Sequence, residues 1–353
     1  MSARAEFVTL AALADAAPEW AHLCARACEA NPFAEPAFLL PLIAYEKPRV
    51  RFALVREDGW LIGFAALVVP FVGLARVWMS AYAALPACAF DAERAGGAIA
   101  ALLALLRERT RTAGVVFGFV ERGGALAAGL RGFGPVVAGE TRRAALKLNG
   151  IAAFEASLNP KRAAKWKRQM RKLASQGRFE TTSGEIEAFF QVEPRGWKGA
   201  RGTALSDDPA RLAFARAALD GFAREGRLDA MVLRLDGKPL AAGLVLKAGT
   251  RAFYWKTAYD EAFAEASPGV QLTLAHSRRL AQTRGLALVD SCANEDHPMI
   301  GRVWGDGLAF EDLAVALRGA RGLAIWLRLG RWGARARAGL KRAINRGLAR
   351  KSS

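Results

Sequence analysis

The sequence predicts an α/β (α+β) protein made of two similar units in tandem, each a mixed, mostly antiparallel sheet flanked by helices. Three observations predict it. A chain of 353 residues is too long for one ordinary core and suits two. Two strand–turn–strand segments, RFALVRE-DG-WLIGFAALVVPF and AMVLRL-DG-KPLAAGLVLK, place Asp58-Gly59 and Asp236-Gly237 178 residues apart. A third strand, a helix and a buried strand then follow each hairpin in the same order.

Taken in order, residues 18–30 and 36–46 read as helices, with a break at Asn31-Pro32. Residues 51–57, 60–71 and 74–80 read as strands. Over 92–111, Leu102, Leu105 and Leu106 fall on one helical face and Arg107, Arg109 and Arg111 on others. Residues 114–120 form a buried strand, and 142–150 close the first unit. A helix over 158–177 has Asn159 as N-cap, Pro160 at its first position and Gly177 at its end. Ala163, Trp166, Met170 and Leu173 give it an apolar stripe; Lys161, Lys165, Arg168 and Lys172 give a parallel basic one. A strand over 179–184 and helices over 185–193 and 208–225 follow. Strands over 230–235, 238–247 and 251–261, a helix from 266 and a strand over 286–291 complete the second unit. The expected division is 1–150, 151–317 and a basic amphipathic helical tail over 318–353. In the tail, Ile325, Leu329, Trp332, Ala336 and Leu340 share a helical face, with Arg328, Arg331, Arg335, Arg342 and Arg346 opposite. Gly330, Gly333 and Gly339 weaken that helix by about 1 kcal/mol each.

The net charge of +18 is uneven. Residues 1–150 hold 16 basic and 13 acidic residues; the remainder holds 35 and 20. Such a balance suits an anionic partner for the second part: a phosphate-bearing cofactor, RNA or an anionic membrane face. Cys24, Cys28, Cys88 and Cys292 have no disulfide-framework or zinc spacing, and no metal is expected. The N-terminus lacks a secretory pattern, and the longest uncharged run, 59–75, is interrupted by Gly63, Pro70 and Gly73. The expectation is a cytoplasmic protein, free or peripheral to the inner face of the membrane.

Four segments could carry chemistry. In ASPGVQL, the turn Ser267-Pro268-Gly269 opens a helix at Val270, where free N–H groups and the helix dipole favour an anion. In YWKTAYDE, strand alternation points Tyr254 and Lys256 together and Trp255 to the core. There Lys256 or Tyr259 suits oxyanion stabilisation or proton donation, and Asp260 or Glu261 a base. Asp290 leads a polar group at the end of the buried strand LALV, with Cys292, Asn294 and His297 beyond it. The Gly-rich loop PRGWKGARGTAL presents Trp197 and Lys198 and is not a Walker sequence. Each segment also has a plain structural reading: a helix start, a salt-bridged strand end, a loop, a connector.

The run KRAAKWKRQMRKL, GWKGARGTAL, LRLDGKPLAAGLVLKAG, FYWKTAYDEAFAEASPGVQL and LALVDSCANEDH resembles acetyltransferase-like proteins of the cellulose-biosynthesis CelD/BcsL type. These sit in the GNAT superfamily and are similar to the FemAB peptidyltransferases. The resemblance covers 158–300 and is diffuse over 1–150. It implies tandem GNAT-like domains with the active one second, and transfer of an acyl group to an amine or hydroxyl without metal. By it, Lys256, Tyr259, Asp260 and Asp290 take catalytic positions. Ser267, Pro268, Gly269 and Val270 take the cofactor position for acetyl-CoA or another acyl-CoA, and Trp197, Lys198 and Tyr254 line the substrate. SPGVQL departs from the usual loop, having one glycine and no preceding Arg or Gln of the motif. FemAB-like enzymes also lack the loop and use aminoacyl-tRNA, whose phosphates would suit the basic helix. Three readings stay open: an acyl-CoA-dependent acyltransferase acting on a cell-envelope or polysaccharide-related acceptor, a FemAB-like peptidyltransferase that would bind tRNA, and a non-catalytic protein docking through 318–351 on an anionic membrane or an assembly.

Overall fold

Thirteen strands form one continuous sheet in a computed structural model that describes residues 2–294, 297 and 299–330. The first half contributes β1 (Arg4–Val8), β2 (Arg51–Glu57), β3 (Trp60–Val68), β4 (Leu74–Val77), β5 (Cys88–Phe90), β6 (Gly114–Glu121) and β7 (Val136–Lys147). The second contributes β8 (Phe179–Ser183), β9 (Leu228–Leu235), β10 (Lys238–Ala248), β11 (Arg251–Tyr259), β12 (Leu288–Asn294) and β13 (Asp306–Ala316). Their spatial order is β1-β2-β3-β4-β6-β13-β7-β12-β11-β10-β9-β8, with β5 added to β3.

The halves repeat one plan. Both Asp-Gly turns carry two positive φ angles, 51° and 84° at Asp58 and Gly59, 49° and 76° at Asp236 and Gly237. That is the type I′ geometry whose twist matches the flanking strands. Four antiparallel strands are followed in each half by one parallel pairing, β4 with β6 and β11 with β12. The expected fold class is therefore the observed one, a mixed and mostly antiparallel sheet with helices.

The closing strands differ from expectation. β7 leaves the first half to pair with β12, and β13 leaves the second half to pair with β6. The two exchanged strands pair antiparallel with each other, from Asp306↔Ala145 to Ala314↔Val136. β13 was invisible as a strand because its alternation fails at Asp312, where a bulge shifts register. Leu308 and Phe310 point inward before it, Leu313 and Val315 after it. Asp312 itself accepts the Phe119 N–H at 3.1 Å.

Where β7 meets β12, Arg143 and Asp290 form an ion pair at 3.1 Å, 4% and 2% exposed. Arg143 also donates to the Ala84 carbonyl and lies 4.6 Å and 4.9 Å from the ring centres of Phe119 and Phe310. Asp290 accepts the Cys292 N–H at 2.8 Å. One apolar core spans both halves. The helix Pro36–Glu46 packs on Pro209–Arg224, and Phe38 meets Phe214 and Trp255 edge to face at 5.6 Å and 5.4 Å. Arg227–Glu35 and Arg251–Glu121 ion pairs tie the same boundary.

Beyond β13, residues 320–330 are helical and bury Leu323 and Leu327 against Val116 and Ala314. Ile325 and Leu329 of the expected apolar stripe are exposed, and Arg328, expected opposite them, is exposed on the same side of the helix. The rest of that stripe, Trp332 to Arg346, lies outside the described residues. No helix among the described residues is long and apolar enough to cross a membrane.

Removing one member of a buried pair strands the other charge. Arg143→Met should therefore cost about 3–5 kcal/mol in urea unfolding. The double substitution Arg143→Met with Asp290→Leu should recover a large part of that loss, and a double variant no better than Arg143→Met would show that the pairing is not what matters.

Candidate functional site

β11 and β12 stay together for only three residue pairs, Arg251↔Leu288, Ala252↔Val289 and Phe253↔Asp290, and then part. Two local departures from strand geometry accompany the parting. On β11, Leu244 pairs with Lys256 and Val245 with Tyr254, so Trp255 bulges out of register. On β12, Cys292 takes φ 54°, a left-handed conformation costing roughly 1–2 kcal/mol for a residue with a Cβ. The opening is a cleft of about 700 Å³, walled by Tyr254–Thr257 and Tyr259 on one side and Ser291–Asn294 on the other. The first half opens at the matching place, after Arg76↔Val116, with Phe119 at φ 49° as the counterpart of Cys292. There Phe119, Phe90 and Leu85 leave a cavity of only about 30 Å³, room for a water. Only the second half keeps its cleft.

The bulge corrects the expected alternation. Tyr254 faces the helix Pro268–Gln282, its hydroxyl 3.3 Å from Thr273 Oγ1 and its ring against His276 and Trp304. Lys256 lies instead beside Trp255, with its Nζ 5.5 Å from the ring centres of both Trp255 and Tyr82. Tyr82 comes from the first half and accepts the Trp255 indole N–H on its carbonyl at 2.7 Å. Desolvation first, and the neighbouring Lys198 second, bring the Lys256 ammonium down from 10.5 to about 8.

Trp197 and Lys198 reach the cleft from a turn that only glycine can make. A Cβ on Gly199 would overlap the Pro194 carbonyl, and one on Gly196 would sit 3.0 Å from the Tyr259 carbonyl. Lys198 pairs with buried Glu193 at 2.8 Å, and Glu193 also accepts the Leu205 N–H at 2.7 Å. Arg201 stacks over Trp197 at 5.0 Å. His297, also at the cleft, is held below its ordinary value by desolvation and then by Lys198. Behind Tyr254, buried His276 binds Asp229 at 3.1 Å, and Asp229 binds Arg279 at 3.0 Å.

The cleft thus gathers Trp197, Lys198, Tyr254, Lys256 and Tyr259 from the sequence-derived set. Asp260 and Asp290 are not among its lining. Asp260 is buried, accepts the Ala262 N–H at 3.0 Å as the cap of a 3₁₀ turn, and has Arg195 at 3.8 Å. Asp290 is spent on Arg143, and burial pushes its carboxyl up against the pull of that guanidinium. Burial also raises the Cys292 thiol well above its usual value, which keeps it from acting as a thiolate.

The helix start at 267–270 is close to the cleft but largely self-satisfied. Ser267, at φ 51°, takes the N–H groups of Val270 and Gln271 on its carbonyl at 3.0 Å and 3.1 Å. Pro268 has no N–H, which leaves that of buried Gly269 as the first-turn donor for an anion. The close approach that Gly269 permits is used by the protein itself: a Cβ there would lie 3.0 Å from Tyr259 and 3.1 Å from the Met299 sulfur. Gln169, on the basic helix Pro160–Ala174, reaches this turn and donates to the Glu265 carbonyl and to Ser267 Oγ at 2.7 Å and 3.2 Å. Tyr82 and Met299 have no local signal in the sequence, since neither the tripeptide around Tyr82 nor the residues around Met299 mark a cleft neighbour.

Residues 160–297 match the acetyltransferase (GNAT) domain. The GNAT match runs from the basic helix through β12 to His297 and includes most of the cleft lining, with Met299 and Ile300 just beyond it. No curated protein matches the sequence. Among solved structures, FemX superposes with a TM-score of 0.58 at 13% identity, over 89% of this chain and 98% of that one. The C-terminal domain of a putative lysylphosphatidylglycerol synthetase from Agrobacterium fabrum gives 0.56 at 14%, over 89% and 95%. A protein of unknown function from Bacteroides thetaiotaomicron gives 0.55 at 11%, over 88% and 99%. At these identities the likeness is one of fold, and it extends along nearly the whole chain rather than the GNAT match alone.

Gly199→Ala should displace the Trp197–Lys198 turn while leaving the sheet intact. A changed Trp fluorescence maximum or faster proteolysis within 194–203, with unchanged far-UV circular dichroism, is the expected result; an unchanged turn would show that the loop accommodates a methyl.

Proposed function

We propose that the protein is a GNAT-type acyltransferase that moves an acyl group from acyl-CoA to an amine or hydroxyl of a cell-envelope or polysaccharide-related acceptor. The acceptor class rests on the sequence resemblance to the CelD/BcsL type. The observation that carries the chemistry is the splayed β11–β12 cleft with Lys256 on its wall, where desolvation first brings its ammonium down to about 8. When bound, acyl-CoA supplies the carbonyl carbon that the acceptor attacks and the thiolate that leaves. Lys256, as the neutral amine, accepts the proton lost by the acceptor. Beyond Phe253↔Asp290, the parting of β11 from β12 leaves main-chain groups of β11 without a β12 partner on the cleft side, and these would bind the carbonyl. Trp197 and Tyr259 orient the acceptor against the cleft wall.

A second reading, transfer from aminoacyl-tRNA, is favoured by one observation. The helix start offers an anion a single first-turn N–H, while the adjoining helix exposes Lys161, Lys165, Arg168 and Lys172 to a longer polyanion. Calorimetric titration separates the two. Acetyl-CoA should bind, and no heat at millimolar concentration would remove acyl-CoA as donor. Under the tRNA reading, affinity for charged tRNA should fall steeply with salt, and a flat response would exclude it.

If neutral Lys256 is the base, single-turnover transfer should rise with pH and level off above about 8, and Lys256→Ala should abolish it. Stability carries the opposite signature. Between about 8 and 10.5 the unfolded chain binds a proton that folded Lys256 has released, so stability increases with pH across that window. Below it the full cost of burying the ammonium is present. Lys256→Met should therefore raise the unfolding temperature at pH 7 while eliminating turnover; a lowered unfolding temperature would contradict the desolvated lysine.

A further inference from the structure

Away from the cleft, the β3–β4 loop exposes Phe71 and Val72 at 76% and 52%. The Arg111 guanidinium lies 5.1 Å from the Phe71 ring centre. Arg51, Arg109, Arg111 and Arg318 share the wall of a shallow concavity of about 690 Å³ with Phe71, and Glu108 is the one acid lining it. Arg318 is anchored there by its bonds to the Arg107 and Thr110 carbonyls. The helix 320–330 continues the face. A Cβ on Gly73 would sit 3.7 Å from the Trp326 ring, which places that helix against the loop. On the side of the helix away from Leu323 and Leu327, the exposed residues Arg321, Ile325, Arg328 and Leu329 recur at helical spacing, Ile325 at 56% and Leu329 at 49% exposure. The sequence beyond, 331–353, adds eight basic residues and no acidic one.

We propose that this face docks on an anionic phospholipid bilayer, with Phe71, Val72, Ile325 and Leu329 entering the interface and the arginines binding headgroup phosphates. The two chemistries occur together only where a surface is both apolar and anionic. A second copy of the chain would bring arginines against arginines. RNA would reward the guanidinium groups and the Phe71 ring but gains nothing from exposed Val72, Ile325 and Leu329. The proposal is independent of which acyl donor the cleft accepts.

Co-sedimentation of the full-length protein with phosphatidylcholine vesicles, with and without phosphatidylglycerol, tests it. Binding is expected only to the anionic vesicles, weakening as salt rises. Phe71→Glu with Val72→Glu should lower the partition coefficient at least about tenfold at unchanged far-UV circular dichroism, since both side chains are solvent-exposed. Arg111→Glu should lower it further. Absence of binding to anionic vesicles would overturn the proposal, as would a double Phe71→Glu, Val72→Glu variant that binds like the parent. It would equally fail if the double variant abolished RNA binding or converted a dimer to monomer and left vesicle binding unchanged.

Discussion

The buried Arg143–Asp290 pair holds the molecule at its middle. Removing two charges from water is expensive, and the cost is offset only when good pairing geometry is joined by further hydrogen bonds. Here Arg143 has a carboxylate, a carbonyl and two ring faces, and Asp290 has a guanidinium and a backbone N–H. That requirement locks β7 against β12 in one register. It acts at Phe253↔Asp290, the last residue pair before β11 and β12 part. The root of the cleft is therefore set by a pair with one partner from each half of the chain.

Strand exchange extends the same constraint. Because β7 and β13 each complete the other half's sheet, neither half has its own closing strand. The shared core through Phe33, Phe38, Phe214, Phe253 and Trp255 makes the boundary as apolar as an interior. Tyr82 reaches across it to Trp255 and flanks Lys256, so the first half shapes the electrostatics of a cleft in the second. Its own equivalent opening is closed by Phe119. A duplicated plan has thus kept the cavity in one copy and filled it with an aromatic side chain in the other.

The legible parts of the fold were those with local causes. The two Asp-Gly hairpins, the capped helix behind Asn159-Pro160 and the strand end YWKTAY all declare themselves through turn chemistry, caps and periodicity. Asn159 does accept the Arg162 N–H at 3.1 Å, as an N-cap should. Trp197, Lys198, Tyr254, Lys256 and Tyr259 were legible as a group because a strand end and a Gly-rich loop suggest a wall. Asp260 and Asp290 drew attention for the same reason, polarity at a strand end, yet one caps a turn and the other balances Arg143. Polarity marks an unusual position without saying whether a ligand or the protein itself satisfies it.

By itself the sequence determined the duplicated strand–turn–strand plan, the basic helix and tail, and the residues offered along the cleft wall, because these follow from contacts a few residues apart. Only the tertiary structure decided which strands close which half, because exchange is a choice between partners about 170 residues apart that present equivalent patterns. It also decided the direction of Lys256, since one bulged residue reverses strand alternation, and the role of Asp290, since its partner lies 147 residues away in sequence. Those long-range pairings set where the sheet opens, and the open sheet gives the cleft its place.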